Sequence, residues 1–156
     1  MFEKILVCLD GSNLAEQILP YAEEEALRFS SQVTLLEVVT VPTMVAAAEA
    51  SGAPSQTSGL IEETMHKEVT EAKAYLDQVA EPLLRKGINV DCVAVEGSPI
   101  GDAIVNYSQE NGIDLICIAT HGHSGLGRVV FGSVADHVLR ESGLPILVIK
   151  PKEIET

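Results

Sequence analysis

Lys4-Ile5-Leu6-Val7-Cys8-Leu9-Asp10-Gly11-Ser12 is the stretch that decides the fold. Five apolar residues in a row follow Lys4 and stop at a turn-forming Asp-Gly-Ser. That is the profile of a strand covered on both faces, as in parallel sheets with helices on each side. From Asn13 the pattern turns helical, with Leu14, Ile18, Leu19, Ala22 and Ala26 on one face. Asn13 followed by Glu16 predicts a capping box. Pro20 predicts a kink or a break.

The same alternation continues along the chain. Val33–Val39 reads as a second buried strand, and Met44–Gly59, small, polar and Gly/Pro-containing, as a flexible excursion. Ile61–Lys86 predicts a long charged helix, kinked near Pro82 and ended by Gly87 in the C′ role. Ile88–Val95 is a third strand, and Gly97-Ser98-Pro99 turns into a helix over Ile100–Glu110 that Asn111-Gly112 closes. Asp114–Ala119 is a fourth strand, followed by a Gly-rich loop from Thr120 to Phe131. A helix over Ser133–Glu141 leads through Gly143 to a last strand, Pro145–Ile149. The order β-α-β-α-β-α-β-α-β predicts an α/β, doubly wound, five-stranded parallel sheet in one domain spanning 1–156.

Composition narrows the function classes. With 156 residues, 46% hydrophobic and 21% charged, the chain is a globular domain that needs no metal or disulfide staple. Ten basic against 23 acidic side chains give a net charge of −13, which repels duplex DNA and anionic lipid. No nucleic-acid or membrane partner is expected. No apolar run nears the roughly 18 residues of a membrane span. Met1-Phe2-Glu3-Lys4-Ile5 shows no basic n-region or cleavage site, which points to the cytoplasm. Cys8, Cys92 and Cys117 lie far apart, in or beside apolar runs, and read as free buried thiols.

Doubly wound sheets bind ligands beyond the carboxyl ends of the strands, where the winding direction reverses. Flavodoxin-like and Rossmann-like orders both put that reversal beside strand one. The loops to inspect are then Asp10–Asn13 and the one after strand four. The latter runs Ala119-Thr120-His121-Gly122-His123-Ser124-Gly125-Leu126-Gly127-Arg128, then Phe131-Gly132-Ser133-Val134 into a helix. Glycines allow backbone N–H groups to approach phosphate oxygens. A helix start at Gly132-Ser133 adds free N–H donors, a hydroxyl and the positive end of the helix dipole. No Lys or Arg occurs between Gly87 and Gly127, so Arg128 is the loop's one fixed cation. Phosphate binding here rests on backbone amides, with a metal ion as helper; a plain flexible loop with an N-cap is the other reading.

These residues resemble the universal stress protein family over nearly the whole chain. The family pattern G-x-x-G, nine residues, G-[S/T] stands here as Ala119-Thr120-His121-Gly122, His123–Phe131, Gly132-Ser133, with Ala119 replacing the first glycine. KILVCLDGS and GSVADHVLRESGLPILVIK are similar to the family's first strand and last helix–strand unit. The resemblance implies strand order 3-2-1-4-5 and ATP held between strands one and four. By the family's pattern, backbone around Cys8 and Val38 faces the adenine, and Ala119 to Gly125 wraps ribose and phosphates. Gly132, Ser133 and Val134 hold the outer phosphates, and Asp10 acts near them or near a bound Mg²⁺. A methyl at Ala119 would crowd the ribose.

Each residue also has a plainer reading. Asp10 serves either as a helix cap or as a ligand or metal group. His121 and His123 have no zinc-like partners beside them and read as loop histidines facing phosphate or solvent. Arg128 steadies a phosphate or is simply exposed. His66 and His137, on charged helices, face water, and Glu23-Glu24-Glu25 is a solvated face. An NTP-hydrolysing enzyme is disfavoured because no G-x-x-x-x-G-K-[ST] exists. A phospho-receiver lacks its second acidic residue after strand one and an Asp ending strand three. A flavin module lacks aromatics, at 4% with no Trp. The reading is an ATP-binding stress-response protein with little turnover, the alternatives being a slow ATP hydrolase or an AMP- or cyclic AMP-binding regulator. A homodimer is expected through Pro145–Ile149, an apolar strand at the sheet edge.

Overall fold

The computed structural model describes residues 1–41, 47, 50–52, 56–120 and 132–153. Strand β1 (Lys4–Leu9) is central, and Ile5, Leu6 and Val7 have no exposed surface. It pairs in parallel with β2 (Gln32–Val39) on one side and β4 (Leu115–Ala119) on the other. β3 (Asn89–Glu96) and β5 (Ile146–Ile149) form the edges, so the order is β3-β2-β1-β4-β5. The expected five-stranded parallel sheet in order 3-2-1-4-5 is what the chain forms.

Side-chain alternation along each strand divides the core in two. Ile5, Val7, Val33, Leu35, Leu115 and Cys117 face α1 (Asn13–Glu16), α2 (Leu19–Phe29) and α3 (Gln56–Arg85). Leu6, Cys8, Leu36, Ile116 and Ile118 face α4 (Ile100–Glu110) and α5 (Ser133–Glu141). The amino end of β1 is fixed by Asp114 just before β4, whose Oδ2 accepts from the backbone N–H of Glu3 and Lys4 at 3.0 and 2.9 Å.

Of the local expectations, a break at Pro20 is met and three others need correction. Pro20 breaks the first helix rather than bending it. It lies in the first turn of α2, where its missing N–H leaves no bond unmade. The cap of α1 is Ser12, not Asn13: Ser12 Oγ accepts from Ala15 N–H at 3.1 Å, and no Asn13–Glu16 capping box is needed. Helix α3 begins at Gln56, so 56–59 belong to it and not to an excursion. It draws support from Met65 and Ala72 buried against Val39. The rest of 44–59 lies outside the described residues, apart from 47 and 50–52. Cys8 and Cys117 are buried as expected, but Cys92 on edge strand β3 is only half-buried. Gly87 does end α3, at φ +83°. Its N–H donates to Leu84 C=O, and that of Ile88 to Leu83 C=O, which is a Schellman closure.

Leu76, on α3, is fully buried against β1 and β2, whereas Leu84, two turns on, is 51% exposed. Leu76→Ala is expected to lower unfolding free energy by about 2–5 kcal/mol through the cavity it leaves. Leu84→Ala should stay within about 0.5 kcal/mol of wild type. Denaturant titration of both variants checks the inward face of α3.

Candidate functional site

β1 and β4 stay in register only from Ile5↔Leu115 to Val7↔Cys117. Beyond that point each strand keeps its outer partner: β1 pairs with β2 as far as Leu9↔Glu37, and β4 with β5 as far as Ala119↔Ile149. The sheet therefore opens at its carboxyl end between its two central strands. The slot is lined by Cys8, Leu9 and Asp10 from β1 and its turn, and by Ile118 and Ala119 from β4. Ile100 and Ile104 of α4 close one side, and Gly132, Val134 and Ala135 the end. This is the reversal point of the winding, where doubly wound sheets hold ligands.

The slot is apolar at its base and polar at two places on its rim. At one, Asp10 lies in the turn after β1, where Gly11 takes φ +80°. Asp10 Oδ1 accepts from Ser12 N–H at 2.9 Å and Ser12 Oγ at 2.6 Å. The carboxylate thus shapes the turn that caps α1, and Asp10 is among the residues that line the slot. The second polar place is the amino end of α5. Gly132 is its N-cap, with φ −55° and ψ 145°, and no side chain caps the helix. Gly132 C=O accepts from Asp136 N–H at 2.9 Å, the first bond of the helix ladder. The N–H groups of Ser133, Val134 and Ala135 precede that bond and have no partner inside the helix. An end of this kind carries roughly half a positive charge. No Lys or Arg occurs among the described residues lining the slot.

Of the residues picked out by sequence, Cys8, Asp10, Ala119, Gly132 and Val134 line this slot together, and Ser133 is exposed beside it at the start of α5. His121, Gly122, His123, Ser124, Gly125 and Arg128 lie outside the described residues. Thr120 is buried and turned to β5: its N–H donates to Ile149 C=O at 2.9 Å and its hydroxyl to the same oxygen at 3.4 Å. Val38 packs into the core facing α4 and α5 and borders a neighbouring recess rather than the slot. Ile100, Ile104 and Ala135 were not legible as site residues, because apolar residues of amphipathic helices look like any other core. Among the described residues, no group of three His, Cys, Asp or Glu side chains is placed to hold a metal ion.

The thiols in and under the slot are not nucleophiles. Burial pushes the Cys8 thiol far above its ordinary range. Burial, with Glu25 nearby, raises Cys117 to about 12. Both stay protonated and act as small apolar groups.

The neighbouring recess, about 430 Å³, shares the Gly11 turn and is lined by Glu37, Thr40, Glu68, Glu71 and Tyr75. Tyr75 donates to Glu16 Oε1 at 2.9 Å and so ties α3 to α1. One oxygen of Glu37, Oε2, is sealed from water without a hydrogen-bond partner. Burial first, then the charges of Asp10 and Glu68, raise the pKa of Glu37 above its usual value.

Comparison with known proteins places the chain. The family model described as Usp, Universal stress protein family, matches residues 1–150. The chain belongs to the universal stress protein family. Universal stress protein MJ0531 of Methanocaldococcus jannaschii is 32% identical over 98% of this chain and 85% of its own length. The solved structure of MJ0577, from the same organism, covers 99% of both chains with a TM-score of 0.78 and 28% identity. A universal stress protein from Archaeoglobus fulgidus, solved in complex with dAMP, shares the fold at a TM-score of 0.65. It is 20% identical, covering 96% of this chain and 98% of its own. As for membranes, no helix among the described residues is long and apolar enough to cross one.

A carboxyl group whose pKa is higher folded than unfolded favours the native state at low pH, and that contribution is lost as pH rises through the folded value. Glu37 is such a group. Glu37→Gln is expected to raise stability at pH 7 by up to about 1 kcal/mol, since solvent screens a half-buried charge. The gain should shrink as pH falls toward 4. Denaturant midpoints measured across that range check it.

Proposed function

We propose that this universal stress protein binds an adenine nucleotide, ATP with Mg²⁺, in the slot between β1 and β4, and that its work is binding and signalling with little turnover. One observation carries the reading: the two central strands part at the winding reversal, and the gap ends at the uncapped amino end of α5. A flat, apolar base suits the seat formed by Cys8, Ile118, Ile100 and Ile104. Phosphate oxygens suit the free N–H groups of Ser133 and Val134 and the Ser133 hydroxyl. His121, Gly122, His123, Ser124, Gly125 and Arg128 belong to the same binding loop by the family's pattern. The ribose lies near Ala119, whose methyl is the smallest departure from the motif glycine. That a protein of this fold is known with dAMP bound is in keeping with an adenine ligand.

The donor set fits Mg²⁺ that arrives with its phosphates. Magnesium is commonly held by one or two carboxylates plus substrate phosphates and water. Asp10 is the carboxylate among the described lining residues, and it stands on the rim. Bound there, the ion would neutralise phosphate charge that the acidic chain otherwise repels. Catalysis is not favoured, since no P-loop lysine exists in the sequence.

Calorimetric titration of the full chain with ATP and Mg²⁺ should show one site. Chelating the metal should weaken binding by about tenfold or more, equivalent to roughly 1.4 kcal/mol. Gly132→Val should abolish binding with the fold intact, because its side chain occupies the approach to the α5 N–H groups. Phosphate release should stay well below about 1 per second, the low end of ordinary enzyme rates. Absence of binding heat in wild type, or equal affinity in Gly132→Val, defeats the assignment.

We also propose a homodimer through β5. That strand has β4 on one side and forms the sheet's edge on the other, and it reads Ile-Leu-Val-Ile with its residues only half-buried. An apolar edge with unpaired N–H and C=O groups invites a second strand, and two-fold pairing closes the assembly. Light scattering at tens of micromolar (~10⁻⁵ M, well above the Kd range of stable dimers) should give twice the chain mass. Leu147→Asp should give the monomer.

A further inference from the structure

The first turn of α4 is wedged between β2 and α5 with no room for one added carbon. A Cβ on Gly101 would lie 2.6 Å from Cδ2, 2.9 Å from Cγ and 3.1 Å from Cβ of His137 on α5. A Cβ on Gly97, in the turn before α4, would lie 2.5 Å from Ala103 Cβ and 3.3 Å from Val38 Cγ1. Neither glycine has a positive φ, so space and not backbone conformation requires them. At both glycines a contact under 3 Å forces a neighbour to shift. Ala103 has no rotamer to change, and the imidazole of His137 can yield to a methyl on Gly101 only by turning away from its contact with Asp102. The sequence suggested that His137 faces water; instead its ring lies over Gly101, with Nε2 2.6 Å from Oδ1 of Asp102 on α4. The pair is half-exposed, so its charge adds little. What it does is hold the ring in place.

These two contacts lie behind two walls of the slot. Gly97 sets how closely α4, with Ile100 and Ile104, approaches β2. Gly101 sets how closely α5, with Gly132 and Val134, approaches α4. Helix α4 is further held by buried Ile104, Val105 and Ser108. A methyl on Gly101 therefore displaces the amino end of α5, one turn before His137.

We propose that Gly101 and His137 are positioning residues for the phosphate end of the nucleotide site and Gly97 for its base end, so the two parts of the ligand's affinity can be altered separately. This rests on the adenine-nucleotide reading above. The test measures ATP with Mg²⁺ by calorimetry and adenosine by competition, in wild type and variants, with thermal unfolding as the check on folding. Gly101→Ala should weaken ATP about tenfold, roughly 1.4 kcal/mol, and leave adenosine within about twofold. Gly97→Ala should weaken both ligands by the same factor. His137→Ala, at a half-exposed position that tolerates truncation, should act like Gly101→Ala by leaving α5 unsupported. The double variant Gly101→Ala/His137→Ala, in which the new methyl takes the ring's place, should recover most of the ATP affinity. Recovery of that kind is not expected from two independent structural defects. Equal losses for ATP and adenosine in Gly101→Ala overturn the proposal; if that variant fails to fold, equal losses in His137→Ala do so. Wild type that binds neither ligand overturns the nucleotide reading instead.

Discussion

The whole arrangement depends on β1 having to be covered on both faces. Ile5, Leu6 and Val7 are sealed completely, and three sealed residues in succession require partners above and below the sheet as well as strands on each side. At roughly 1.5–3 kcal/mol for each large apolar side chain buried, no one-sided packing could satisfy this segment. Helices α1 to α3 supply one cover and α4 with α5 the other. The chain must therefore wind in both directions from β1, and a reversal beside it is unavoidable. The slot is a consequence of that reversal. Where β1 and β4 part, the crossover from β1 turns to one face and the crossover from β4 to the other.

Burial on two faces is also what makes this fold readable from sequence. A strand covered on both sides is a continuous apolar run, and KILVCL and LICIA stand out without any alternation to interpret. Helices α4 and α5 are bounded by strong local signals, Pro99 and Asn111-Gly112 for one, Gly132 and Gly143 for the other. Local signals fail where several residues compete or where tertiary packing overrides propensity. In Asp10-Gly11-Ser12-Asn13, three side chains are able to cap a helix. Only the left-handed Gly11, which leaves Ser12 extended at φ −90°, selects Ser12. At the start of α3, Thr57-Ser58-Gly59 are poor helix formers. Their helix is anchored two turns further on, where Met65 packs on Val39 in a contact between distant parts of the chain that no window of sequence displays.

The site divides along the same line. Of the residues that line the slot, Gly132 and Asp10 stand out in the sequence, because a glycine at a helix start and an acidic turn residue have few other uses at strand ends. The apolar walls were not, since Ile100, Ile104 and Ala135 obey the periodicity of any core helix. Thr120 shows the converse. It stands inside the Gly-rich sequence motif, yet its described hydrogen bonds go to Ile149 and complete the β4–β5 ladder. A motif position this close to the end of a strand is used by the sheet.

An anion site in a chain of net charge −13 needs a source of positive potential, and the described lining residues offer no basic side chain. The amino end of α5 supplies about half a charge, fixed in place and indifferent to pH. That is too little to balance a triphosphate next to Asp10, with the acidic recess of Glu37, Glu68 and Glu71 just across the Gly11 turn. On the nucleotide reading, the balance comes from the metal. Asp10 then changes its effect: alone it repels the phosphates, and with Mg²⁺ between them it attracts. Occupancy would follow the concentration of the metal complex rather than of nucleotide as such. The acidic surroundings, which weaken binding of the bare anion, give that discrimination its size.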